Sequence, residues 1–171
     1  MHTRWLQVVC TVMVFLMICR RILIARGMRR GDQRVIDRRR ERNKRLANRM
    51  VRTVGRAGRH RSPFAIVGCV GRTTGRLFET PVRVVGEDHA TVLIPLTYGP
   101  RTGWLKNLRV NEGYLLWRNR RIAVGSPEIV ETDRIALDLP WPSRLLLWLD
   151  GTTQLVRLTK ASDPPAPIHA P

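Results

Sequence analysis

Apolar residues fall into three regimes along the chain. From Trp5 to Cys19 they run almost unbroken, with only Gln7 and Thr11 between them. From Gly27 to Arg61 they thin among many arginines, and Ile36, Leu46, Met50 and Val54 fall near one face. From Pro63 onward they return as short stretches divided by Gly, Pro and polar turns. The first regime predicts an apolar helix, and the second a basic helix that is amphipathic only in its second half. The third predicts strands over about 63–70, 77–85, 90–96, 114–118, 121–125 and 127–131, closed by a last strand from Thr153 to Thr159. Gly86-Glu87-Asp88-His89 reads as a turn and Trp104 to Asn111 as a short helix. Thr132 to Leu139 is polar, Pro140-Trp141-Pro142 breaks the chain, and Ser143 is placed to cap a helix over Arg144 to Leu149. Asp32 follows a break at Gly27 to Gly31 and is placed to cap the basic helix, which Gly55 and Gly58 end. The fold class expected is mainly β (α+β), with six to seven short strands at a spacing that suggests a small barrel. The domains expected are an apolar anchor helix at 1–26, a basic helix or linker at 27–61, a barrel at 62–160 and a disordered Pro-rich tail at 161–171.

Charge sharpens the division. The formal net charge of the 171 residues is +18. Between Arg20 and Arg61 stand 17 basic residues against Asp32, Asp37 and Glu41, whereas beyond Ser62 bases and acids nearly balance. The basic character therefore belongs to one segment and not to the fold. Fifteen helical residues from Trp5 to Cys19 reach about 22 Å, and Ile22 to Ala25 extends the run to about 31 Å, close to the roughly 30 Å hydrocarbon core. Arg20 and Arg21 can snorkel, and arginines placed after the apolar run suit a signal anchor with the body on the cytoplasmic side. Interfacial docking of the helix and cleavage as a signal peptide are the alternatives. For the basic segment, contact with anionic headgroups competes with nucleic-acid binding and with a plain solvated linker. No aromatic residue interleaves these arginines to stack a base, so the membrane surface is the partner expected and nucleic acid is not. The three cysteines, Cys10, Cys19 and Cys69, and four scattered histidines form neither a disulfide framework nor a metal site.

The one turn with chemistry in it is Gly71-Arg72-Thr73-Thr74-Gly75-Arg76. Two glycines can bare backbone N–H groups, two hydroxyls and two guanidinium groups stand between them, and such a turn can hold a phosphate or carboxylate. An ordinary basic hairpin turn is the other reading. Downstream follow Thr80-Pro81-Val82, then Pro95-Leu96-Thr97-Tyr98-Gly99, then Trp104-Leu105-Lys106-Asn107-Leu108. This ordered set, roughly Ile66 to Val130, resembles the deazaflavin-dependent nitroreductase and quinone reductase family. The resemblance implies a split β-barrel and the deazaflavin coenzyme F420, with flavin mononucleotide (FMN) as the alternative cofactor.

The resemblance further implies that Gly71, Arg72, Thr73, Thr74, Gly75 and Arg76 meet the phosphate and acidic tail of the cofactor. Pro81 and Val82 would pass beside its ring, and Tyr98 and Gly99 would line it. Trp104, Lys106 and Asn107 would begin the helix that closes the phosphate end, with Arg101 adding charge. The chain lacks the Asn-Pro that family members commonly carry after the short helix, having Asn111-Glu112-Gly113 instead. It also lacks the C-terminal tyrosines of the nitro-activating relatives. A substrate wall would come from Trp141, Leu145 and Trp148, which points to a quinone-like or other apolar acceptor. No side chain looks like an obligatory catalytic group, so an enzyme of this kind would rest on the cofactor's hydride transfer. A non-enzymatic basic membrane-binding or nucleic-acid-binding module is the remaining alternative, and a homodimer is compatible with either.

Overall fold

The computed structural model describes residues 2–38, 41, 58 and 62–161. Seven antiparallel strands carry the fold: β1 (Phe64–Val70), β2 (Leu77–Arg83), β3 (Gly86–Glu87), β4 (Thr91–Pro95), β5 (Gly113–Trp117), β6 (Arg120–Glu131) and β7 (Gln154–Lys160). They form one sheet in the order β2-β1-β5-β6-β7-β4-β3. Among the described residues the helices α1 (His2–Arg29), α2 (Gly103–Leu108), α3 (Thr132–Ile135) and α4 (Trp141–Asp150) accompany them, with a 3-10 turn over Ala136–Asp138 and a helical stretch over 33–38.

The period-two pattern decides which side of the sheet is inside. Ala65, Val67 and Cys69 of β1 point inward together with Val92 and Ile94 of β4 and Val156 and Leu158 of β7. Leu105 and Leu108 of α2 cap this core from one end. Each such buried Val, Leu or Ile contributes about 1.5–3 kcal/mol relative to exposure. A second, smaller core joins Val85, Val130 and Leu155 to Ile135, Leu139 and Leu147 of the helical segments.

Several expectations are corrected. The sheet is not closed into a barrel, because its ladder has two ends, β2 and β3. Those ends are consecutive in the chain. At the corner between them the Val84 N–H donates to the Pro63 carbonyl at 3.1 Å, and the Val85 N–H to the Leu93 carbonyl at 3.0 Å. One segment thus leaves the β1 side of the sheet and joins the β4 side, and the closure is covalent where a barrel would have a ladder. Gly86–Glu87, expected as a turn, pairs with Leu93 and Val92. The two strands expected at 121–125 and 127–131 are one strand, kinked by a register shift between Gly125 and Glu128, where Ser126 takes a positive φ of 46°. The short helix ends at Leu108, earlier than expected. α4 starts at Trp141, and Ser143 lies inside its first turn with its hydroxyl donating to the Val85 carbonyl at 3.0 Å.

α1 ends where Gly31 and Asp32 send their N–H groups back to Met28 and Gly27 at 3.1 and 3.0 Å. Asp32 then caps the next helical stretch as expected, its carboxylate accepting the Arg34 N–H at 2.9 Å. The rest of the expected basic helix, and the tail beyond Ala161, lie outside the described residues. Among the described residues, no helix is long and apolar enough to cross a membrane. The end of α1 packs on the end of α4 at Gly151. That residue has φ 65° and lies so close to α1 that a Cβ would sit 2.5 Å from the Ala25 carbonyl oxygen.

Gly151 therefore meets two demands at once, a left-handed helix end and a backbone-to-backbone approach. Gly151→Ala is expected to cost about 1–3 kcal/mol for the conformation alone. Urea denaturation should show that loss, and limited proteolysis should show the α1–α4 junction opening, because the obstructing atoms are backbone and have no rotamer to escape into.

Candidate functional site

Two residues hold the β1–β2 turn against α2. The Arg72 guanidinium donates to Asn107 Oδ1 at 3.2 Å, and the Arg72 backbone N–H points to the same oxygen at 3.4 Å. Asn107 is buried and reaches the other way with its amide to Cys69 Sγ at 3.8 Å. One helical turn later Asn111 donates to the Val70 carbonyl at 3.2 Å. The helix and the turn are thereby a single unit, and the sequence motifs GRTTGR and WLKNL meet in space.

Within the turn the expected chemistry changes hands. The Gly71 N–H donates to the Arg76 carbonyl at 2.8 Å and the Gly75 N–H to the Gly71 carbonyl at 2.9 Å. Both glycine donors close the turn itself and are not bared for an anion, contrary to the expectation from sequence. The groups left for a ligand are side chains: Arg72, Thr73, Thr74 and Arg76, all exposed, beside exposed Lys106 on α2. Among the described residues neither Arg72, Arg76 nor Lys106 pairs with a carboxylate. Arg72 is held by a neutral amide, so its position is fixed while its charge stays uncompensated.

The remaining expected residues spread along the molecule. Val82 packs in the inner core opposite Ala65, while Pro81 pairs with Ile66 on the other face and is half-buried. Tyr98 and Gly99 are half-buried in the turn after β4, where the Gly99 N–H donates to the Leu96 carbonyl at 2.8 Å. Trp104 packs its ring against the inner core. Trp141, Leu145 and Trp148 lie on α4, which sits at the Arg83–Val85 end of β2, held there by Ser143 and by an Arg83–Asp150 ion pair at 3.4 Å. β2 separates them from the basic turn by about 20 Å, at roughly 3.3 Å per residue.

The thiol of Cys69 is pushed up by burial, against the opposing bond from Asn107, so it stays protonated at neutral pH and is no nucleophile. Burial would also raise the Glu87 carboxyl. Bonds from the Trp117 indole and the Lys160 ammonium, each 2.9 Å, with the charges of Lys160 and Arg118, outweigh burial and leave it below the ordinary range. Asp88 is lowered by the Thr91 hydroxyl and by the Thr91 and Ala90 N–H groups. Both acids are occupied as charged staples.

A second polar cluster escaped the sequence reading. Tyr114 packs over Gly68, where a Cβ would overlap its ring. Its hydroxyl donates to Glu79 at 2.7 Å, and the Arg121 guanidinium lies 3.9 Å from the ring centroid. Gly68 within an apolar strand was the available signal, since glycine there marks a close approach.

The chain matches no protein-family model and no curated protein. Among solved structures it shares a partial likeness with the protein Atu2129 of Agrobacterium tumefaciens, described as of unknown function. The two are 19% identical with a TM-score of 0.41, over 63% of this chain and 53% of that one. The likeness spans about half of that protein and carries nothing about activity.

Burial first, then the Glu79 bond and charge, raise the Tyr114 phenol from 10.0 to about 12. The fold favours its neutral form, so this contribution to stability is complete below pH 10 and is lost as pH climbs towards 12. Absorbance titration of the two tyrosines should show Tyr114 ionising late. Glu79→Gln should bring its transition back towards 10.

Proposed function

We propose that the chain is an oxidoreductase associated with the cytoplasmic face of the cell membrane. In this reading it passes hydride from the reduced deazaflavin coenzyme F420 to a quinone-like or other apolar acceptor, on the open seven-strand sheet. The observation that carries the reading is the Arg72–Asn107 bond, which joins the two motifs of the family resemblance into one basic surface. The residues there suit an acidic, phosphate-bearing tail: fixed Arg72, free Arg76 and Lys106, and the hydroxyls of Thr73 and Thr74.

When bound, the deazaflavin supplies two-electron hydride chemistry. The protein's part is to hold and orient. Arg72 and Arg76 would bind the tail, Pro81 would border the ring, and Tyr98 and Trp104 would shape its seat. Val82 contributes from within by packing. The α4 stripe of Trp141, Leu145 and Trp148 presents the apolar surface along which an acceptor arrives. A reduced quinone takes its protons from water, so no carboxylate is required.

Arg76→Ala and Arg72→Ala are each expected to weaken binding of the reduced deazaflavin about tenfold to a hundredfold, since a charge-assisted contact contributes roughly 1.5–3 kcal/mol. Fluorescence titration reads this directly, with FMN titrated in parallel. Arg76→Ala should leave the melting temperature of the unliganded protein nearly unchanged. Arg72→Ala should lower it slightly, because Asn107 loses its partner. Unchanged affinity in both variants, or tighter binding of FMN, would overturn the cofactor assignment.

A further inference from the structure

The exposed apolar side chains collect on α1 and α4. Every residue from Cys10 to Ile18 is exposed, with Phe15 at 63% and Met17 at 58%, so this part of α1 is apolar on all sides. On α4, Trp141, Leu145 and Trp148 stand at i, i+4 and i+7 and form one outward stripe, while Leu147 turns to the core. The two features belong to one helix pair. Gly151 abuts Ala25, and Arg29 donates to the Trp148 carbonyl at 2.8 Å with its guanidinium 5.2 Å from the indole centroid. Between the apolar turns of α1 and the body, Arg20, Arg21, Arg26, Arg29 and Arg30 are all exposed.

A helix apolar on every side is at home in an apolar solvent. Half-exposed tryptophans suit the depth of lipid headgroups, and a cluster of arginines beside them complements anionic ones. The apolar run of α1 from Trp5 to Cys19 is about 22 Å of helix, short of a roughly 30 Å hydrocarbon core. No helix among the described residues is long and apolar enough to cross a membrane, and a run of this length fits seating in one leaflet.

We propose that the α1–α4 pair lies along an anionic bilayer, with the apolar run of α1 and the Trp141–Leu145–Trp148 stripe both seated at the headgroup boundary of one leaflet. The proposal rests on the membrane part of the function given above and is independent of the cofactor. It gives the stripe a lipid partner, in the same layer from which an apolar acceptor would arrive.

The test uses the full chain with a Trp5→Phe substitution and vesicles of phosphatidylcholine with and without phosphatidylglycerol. Brominated acyl chains are expected to quench tryptophan fluorescence. Adding Trp141→Phe and Trp148→Phe should remove most of that quenching. A Trp141→Ser, Leu145→Ser, Trp148→Ser variant should bind anionic vesicles at least about tenfold more weakly, because large apolar areas no longer leave water. Binding of the parent should weaken as salt rises and as phosphatidylglycerol is withdrawn. Quenching that survives the two phenylalanine substitutions would overturn the proposal. So would a concentration-dependent dimer that buries the stripe and ignores vesicles. Deazaflavin titration of the same samples reads the cofactor assignment separately, so failure of one is distinguishable from failure of the other.

Discussion

The structure depends on one bent segment, Leu77 to Glu87, that serves both margins of the sheet. As β2 it completes the β1 hairpin, and after the corner at Val84 and Val85 it pairs with β4 as β3. The chain cannot occupy both margins unless the sheet between them curls. The curl is what lets alternate residues of β1, β4, β5 and β7 meet in one interior. Val85 at the corner anchors the second core, and its carbonyl receives the Ser143 hydroxyl. The helical layer is therefore positioned by the same corner that turns the sheet.

This arrangement separates two surfaces of different chemistry at the two ends of β2. At the turn end stand exposed cations on a frame braced by Asn107 and Asn111. At the corner end stand exposed tryptophans on a helix braced by Leu147, Ser143 and Asp150. Charge is treated differently at each place. Glu87 draws Lys160, Arg118 and the Trp117 indole into a staple that ties β3 to β7 and to the end of β5. Arg72, by contrast, is fixed by an uncharged amide and pairs with no carboxylate among the described residues. A buried amide that orients a cation without neutralising it is more telling than the number of arginines nearby.

Much of this was legible as pattern. The apolar stretches and turn residues marked the β1–β2 hairpin to within a residue or two, and Asp32 announced its cap. These are local matters, decided by neighbours in the chain. The joining of GRTTGR to WLKNL was expected only through the family resemblance. No local rule brings Arg72 to a residue 35 positions away.

What the sequence by itself determined was the kind and order of the elements, because side-chain period and turn chemistry act over a few residues. The Gly71 and Gly75 N–H groups turn to acceptors within their own turn, Arg76 and Gly71, which is a local matter too; tertiary structure decided the larger ones. It alone made one bulged strand of 120–131, because β7 pairs along both halves. It also decided that Val82 faces the core while Pro81 does not, and that Trp148 lies beneath Arg29. These outcomes depend on which distant backbone arrives beside each residue, a quantity that no periodicity records.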